Sequence, residues 1–169
     1  MNKLLDLPIM DVELIFLTQL IFSTFGFTIF ALWLTGPAMA QLSRRTALMI
    51  LLVPHTFRHI GLSFLVPGLV TTNIPEEFAT AAAYGDLVSA ILATVAIIAL
   101  KAKWIIALPI VWIFSIIGIA DLMSALPQVE AVPHFRAAWY IPTYLVPLLI
   151  VTHVMILGRL IRRDATSTT

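Results

Sequence analysis

Five apolar stretches, each long enough to cross a hydrocarbon layer and separated by short polar turns, leave this chain few folds to choose from. They run approximately from Asp11 to Leu34, Thr46 to Val70, Phe78 to Leu100, Trp104 to Leu126 and Trp139 to Leu160. A spanning helix needs about 20 predominantly apolar residues, and in lipid the backbone must satisfy its own hydrogen bonds. The expectation is an all-α integral membrane protein, a bundle of five transmembrane helices in which residues 1–169 form one polytopic domain. Composition agrees: 60% of residues are hydrophobic and 11% charged, against about 25% charged in soluble domains, and the mean hydropathy is +1.02.

Charge placement sets the expected orientation. Arg44 and Arg45 fall in the first turn, Lys101 and Lys103 in the third, and Arg159, Arg162 and Arg163 at the C-terminal end. Basic loops stay cytoplasmic, which puts the N-terminus outside and the C-terminus inside. The opposite face is acidic, with Glu76 and Glu77 in the second loop and Asp6, Asp11 and Glu13 before or at the first span; Lys3 and Arg136 are minor exceptions. Trp33, Trp104, Trp139 and Tyr140 mark the interfaces as aromatic anchors. Ala38-Met39-Ala40 has the small-x-small form of a signal-peptide cleavage site, but the acidic n-region and the long apolar run argue for a retained first span.

The second span carries the costly residues. His55, Arg58 and His59 interrupt an apolar run, and a charge at membrane depth costs roughly 3 kcal/mol on insertion scales unless it meets a partner, a cavity or a ligand. Asp86 and Asp121 lie in the outer halves of the third and fourth spans, so Arg58, near the midplane, is expected to pair with one or both. One arginine against two carboxylates leaves an excess negative charge, for which His59 is the expected balancing group. His55 and His59, one helical turn apart, are expected to share a face. Gly85, Gly118 and Ala120 allow close backbone approach near the aspartates.

His153 in the fifth span stands level with His55, which raises the alternative that the two ligate one metal ion or the axial positions of a haem b. Pro54, Pro109 and Pro147 lie inside spans, where each removes a backbone hydrogen bond that neighbouring groups must replace. Glu76 and Glu77 read as a helix N-terminal pair. Gln19, Ser23, Thr24 and Thr28 read as interhelical hydrogen-bonding groups. His134 and Arg136 are loop residues with a conceivable gating role. Two local similarities, Asp86–Ala90 with Asp121–Ala125 and Val53–Arg58 with Val132–Arg136, differ in depth or setting and are read as coincidental.

Many chemistries are excluded. The chain has no cysteine and only four histidines, which removes disulfides, thiolate nucleophiles, Cys-ligated zinc and a histidine-box diiron centre. No Gly-x-Ser-x-Gly elbow, P-loop or dinucleotide fingerprint occurs, no enzymatic activity is indicated, and no nucleic-acid surface exists. The leading expectation is a small multi-pass protein of a bacterial inner (plasma) membrane, surrounded by lipid. It would bind or transport a small polar or ionic solute, or protons, with Arg58 as counter-charge and Asp86, Asp121 and His59 as proton-exchanging partners. A bundle this small is expected to act as a homo-oligomer or within a larger complex. The alternatives are a quinone-linked redox subunit holding haem or metal on His55 and His153, and a structural accessory subunit of a membrane complex.

Overall fold

The computed structural model describes residues 11–125 and 127–161. Lys3, Asp6, Leu126, Arg162 and Arg163 lie outside the described residues, so their expected places at the two faces and at the end of the fourth span have no structural counterpart here. Among the described residues the regular structure is helical and no strand forms. Five helices are long and apolar enough to cross a membrane: α1 (Val12–Ala40), α2 (Arg44–Leu65), α3 (Glu76–Lys101), α4 (Ala107–Ala125) and α5 (Arg136–Ile161).

Four of them form a ring in which α2 packs on α3, α3 on α4, α4 on α5, and α5 back on α2, while α1 lies outside against α5. The packing follows the side chains. One face of α3 is a file of small residues, Ala79, Ala82, Ala83, Ser89, Ala90, Ala93 and Ala96, all buried, and small side chains let neighbouring backbones approach closely. The outer helix α1 is only 11% buried over its apolar window, against 44% for α3. It is held by Trp139 Nε1, which donates to Gln19 Oε1 at 2.6 Å, and by the Phe27–Tyr144 edge contact at 5.1 Å. Gln19 thus makes the interhelical bond expected of it. Thr24 and Thr28 do not: their hydroxyls donate to Leu20 and Thr24 carbonyls one turn back, at 2.7 Å each, the usual alternative for a hydroxyl in an apolar helix.

Helix ends depart from the sequence expectation where proline intervenes. α1 continues through Gly36-Pro37 to Ala40 because a π turn, Ala31–Thr35, precedes the proline. The Gly36 N–H reaches the Ala31 carbonyl. α5 repeats the device, with a π turn at Ile141–Leu145 directly before Val146-Pro147. The wide turn displaces the carbonyl that a proline ring would otherwise strike. α2 ends at Leu65 rather than Val70, since Pro67 forces Val66 into extended conformation (φ −91°, ψ 118°) and Gly68 turns with φ +90°. Pro109 falls in the first turn of α4, where its missing N–H costs nothing, so it needs no replacement partner. Trp104 precedes α4 rather than opening it.

The two ends of the bundle differ in charge. At one end Arg44 donates from Nε to the Arg159 carbonyl (2.8 Å) and from Nη2 to the Leu160 carbonyl (2.7 Å), and Arg45 Nη1 donates to the Leu100 carbonyl (3.2 Å). The N-terminus of α2 therefore satisfies the last carbonyls of α5 and α3. At the other end Glu76 and Glu77 open α3, favoured there by the helix dipole. The loop after α2 ties to the loop before α5 through Thr71 N to the His134 carbonyl (2.9 Å) and the Thr71 hydroxyl to His134 Nδ1 (2.6 Å), and to the first turn of α5 through Ala138 N to the Leu69 carbonyl (3.2 Å). Two cores result. Leu48, Leu51, Leu52, Val111, Phe114 and Ile156 pack toward the cationic end, and Phe16, Phe64, Phe78 and Phe135 pack toward the acidic end.

Candidate functional site: an ion triad beneath an aromatic cavity

Between those cores α2 changes its winding. It is α-helical from Arg44 to Thr56 and a 3₁₀-helix from Phe57 to Leu65. Pro54 has no N–H, and the Val53 carbonyl is taken by the Thr56 hydroxyl at 2.8 Å, while the Phe57 N–H turns to the Pro54 and His55 carbonyls. At three residues per turn the inward face repeats at i+3. The buried residues are accordingly His55, Arg58, Gly61 and Phe64. His59, one position off that file, is exposed, and its Nδ1 lies 2.8 Å from the Thr56 carbonyl. The expectation that His55 and His59 share a face rested on a spacing of 3.6 residues per turn. The tighter winding takes His59 out of the cluster.

Arg58 is fully buried and its guanidinium is used on every side. Nε donates to Asp86 Oδ1 at 2.7 Å on α3, Nη1 to the Gly118 carbonyl at 3.2 Å on α4, and Nη2 to Asp121 Oδ2 on α4. It thus pairs with both aspartates and ties α2, α3 and α4 together. Three glycines permit this. A Cβ on Gly61 would collide with the Asp86 carboxylate, and one on Gly85 with the Asp121 carboxylate. A Cβ on Gly118 would stand 3.0 Å from Arg58 Nη1 and 3.0 Å from His153 Cε1. Gly85 and Gly118 were legible as places of close approach; Gly61 was not singled out.

His55 and His153 also meet, as their level positions suggested. Their ring centroids are 4.3 Å apart, nearly perpendicular, and Phe114 touches both, edge-on to His55 and stacked on His153, at 5.0 Å each. The Thr152 hydroxyl donates to the Leu148 carbonyl at 2.8 Å, so it accepts from His55 Nε2 at 3.0 Å. That bond assigns the proton of His55 to Nε2. Neither ring nitrogen of His153 closes a hydrogen bond among the described residues, nor does His55 Nδ1.

For both imidazoles to hold the haem of the alternative reading, these rings would have to separate, since they touch each other and share Phe114, and Thr152 holds His55 Nε2. Among the described residues no group of three or more His, Asp or Glu side chains is arranged to hold a metal ion.

Above the triad lies a partly open cavity of about 60 Å³. Asp86 and Asp121 are its polar floor, Phe16, Phe64, Phe78 and Phe135 its walls, and Gln128 part of its lining. A water takes about 30 Å³ and needs two to four polar partners, so the cavity has room for about two waters over the carboxylates. Sequence reasoning missed the aromatic wall, because its phenylalanines come from α1, α2, α3 and a loop. It also missed Thr152, whose place beside His153 in sequence was the available signal.

A family model described as Domain of unknown function (DUF8737) matches residues 15–161. No curated protein and no solved structure matches the chain.

Proposed function

We propose that this chain, which belongs to the DUF8737 family, is a multi-pass membrane protein that takes up protons, or a small ionic solute, at the Arg58–Asp86–Asp121 triad. Insertion is part of the proposal. It is supported by the five long apolar helices and by large side chains left uncovered on α1, such as Phe22 and Trp33, each 72% exposed, which a lipid bilayer would surround. By the positive-inside rule the cationic end faces the cytoplasm, with the N-terminus outside, in a bacterial inner membrane.

The observation that carries the reading is the cavity whose floor is the two carboxylates. One guanidinium balances one of them, so the pair as ionised groups holds one uncompensated negative charge in apolar surroundings, and a proton is the smallest cation that removes it. Access comes from the acidic end. Toward the cationic end Leu48, Leu52, Val111 and Ile156 close the ring, so release there requires the helices to shift. The broken windings beside Pro54 in α2 and Pro147 in α5 are where they depart from regular helix.

A pH-sensitive dye inside proteoliposomes tests this under an imposed proton gradient. Wild-type protein is expected to acidify the lumen, and Asp86→Asn or Asp121→Asn to abolish the flux while remaining folded. Unchanged flux in both variants would remove the carboxylates from the mechanism. Absence of flux and of proton binding in the wild type would leave the competing reading, a fully paired triad that only orders helices in an accessory subunit or homo-oligomer.

A further inference from the structure

The end opposite the cavity holds a second feature, which the triad does not use. A groove of about 510 Å³ runs between the start of α2 and the α3–α4 turn, lined by Arg44, Arg45 and Lys103 together with Trp104, Ile105 and Leu108. Its volume falls in the range of small-molecule sites. Among the described residues its lining contains the cationic side chains of Arg44, Arg45 and Lys103 and no acidic one.

The cations are set in place by the fold. Arg44 is anchored on the α5 carbonyls and Arg45 by Nη1 on the Leu100 carbonyl. Arg45 Nε and Nη2 make no hydrogen bond among the described residues. Lys103 is the left-handed residue (φ 59°) that ends α3, where Trp104 N bonds the Ala99 carbonyl at 3.0 Å and Lys103 N the Leu100 carbonyl at 3.3 Å. This is the closing pattern usually given to glycine, and here it places an exposed lysine in the groove. The first turn of α2, capped by Ser43, adds the positive end of a helix dipole.

Beside the cations the surface is apolar: Ile105 is 97% exposed and Trp104 48%. A cationic groove with a bare isoleucine and tryptophan at its rim suits a molecule that is anionic at one end and hydrocarbon at the other. We propose that this groove binds the phosphate of an anionic phospholipid, with Arg45 and Lys103 on the headgroup and Ile105 and Leu108 against the acyl chain. The assignment rests on membrane insertion, and not on any flux through the triad.

Native mass spectrometry of the full chain in mild detergent, with phosphatidylglycerol or phosphatidylcholine of identical acyl chains, reads the site. Phosphatidylglycerol is expected to be retained preferentially. Lys103→Gln is expected to weaken its retention about fivefold, and Arg45→Gln with Lys103→Gln about 25-fold, with phosphatidylcholine binding unchanged. Because Arg45 also holds the end of α3, Lys103→Gln alone carries the test if the double variant misfolds. Equal retention of the two lipids, or unaltered preference in Lys103→Gln, would overturn the site. Displacement of the lipid by millimolar inorganic phosphate alone would overturn a lipid in favour of a soluble anion. Failure of the wild type to enter vesicles of either lipid would sink the membrane reading itself, whereas entry without preference sinks only the groove.

Discussion

Arg58 on α2 and His153 on α5, from neighbouring helices of the ring, meet over the same bare backbone position on α4, Gly118: a Cβ there would stand 3.0 Å from Arg58 Nη1 and 3.0 Å from His153 Cε1. The ion triad and the histidine pair are therefore one continuous polar layer, crossed by α4 at a glycine. Gly118→Ala is expected to push both groups and destabilise the protein by about 1–3 kcal/mol. Gly26→Ala and Gly158→Ala, with nothing within 4 Å of the added methyl, are expected to be neutral or slightly stabilising, since alanine is the better helix former. Thermal unfolding in detergent separates the three; equal midpoints for all would mean that Gly118 is not crowded.

Removing Arg58 leaves the carboxylates of buried Asp86 and half-buried Asp121 without their cation. Arg58→Ala is expected to cost about 3–5 kcal/mol, as for other broken buried pairs. Combining Arg58→Met with Asp86→Asn and Asp121→Asn removes all three charges and is expected to recover most of the loss. A stable Arg58→Ala protein would contradict the triad geometry, and so would a triple variant no better than the single.

The cavity can be filled without touching a charged group. Ala82 lines it and is buried on α3. Ala82→Leu is expected to occupy much of the 60 Å³ and to slow proton uptake by about tenfold, because it displaces the water that would lead to the carboxylates. Dye-monitored uptake in proteoliposomes checks this against an unchanged fold by circular dichroism. Undiminished uptake would place the route elsewhere.

Thr152 sets the state of His55. Thr152→Val removes the acceptor of His55 Nε2 at nearly constant shape and is expected to destabilise by about 1–3 kcal/mol, the cost of an unpaired buried donor. Thr152→Ser keeps the hydroxyl and is expected to retain most of the stability. Similar losses in both would assign the effect to packing.

Much of the fold was legible because its causes are local. Apolar length marks a membrane-scale helix whatever its neighbours, and the five helices fall close to the five apolar runs. The errors cluster at proline. Pro67 ends α2 early, whereas Pro37 fails to end α1, and the difference lies in whether the preceding backbone extends or widens into a π turn. The pairing of Arg58 with the aspartates was legible too, since one intramembrane cation and two intramembrane anions have few other ways to be buried. The position of His59 was not. It depends on α2 tightening to three residues per turn after Pro54, which neither Arg58 nor His59 announces.

What the sequence determined by itself is therefore the class of fold, the helices that carry ionisable groups and the charge difference between the two ends, all of which follow from the transfer energy of individual side chains. Only the tertiary structure decided that both carboxylates reach one guanidinium, that the His55 and His153 rings touch, and that four phenylalanines wall a cavity over the triad. Those outcomes depend on close approach at Gly61, Gly85 and Gly118. The space a glycine leaves takes its meaning from the helix that comes to fill it.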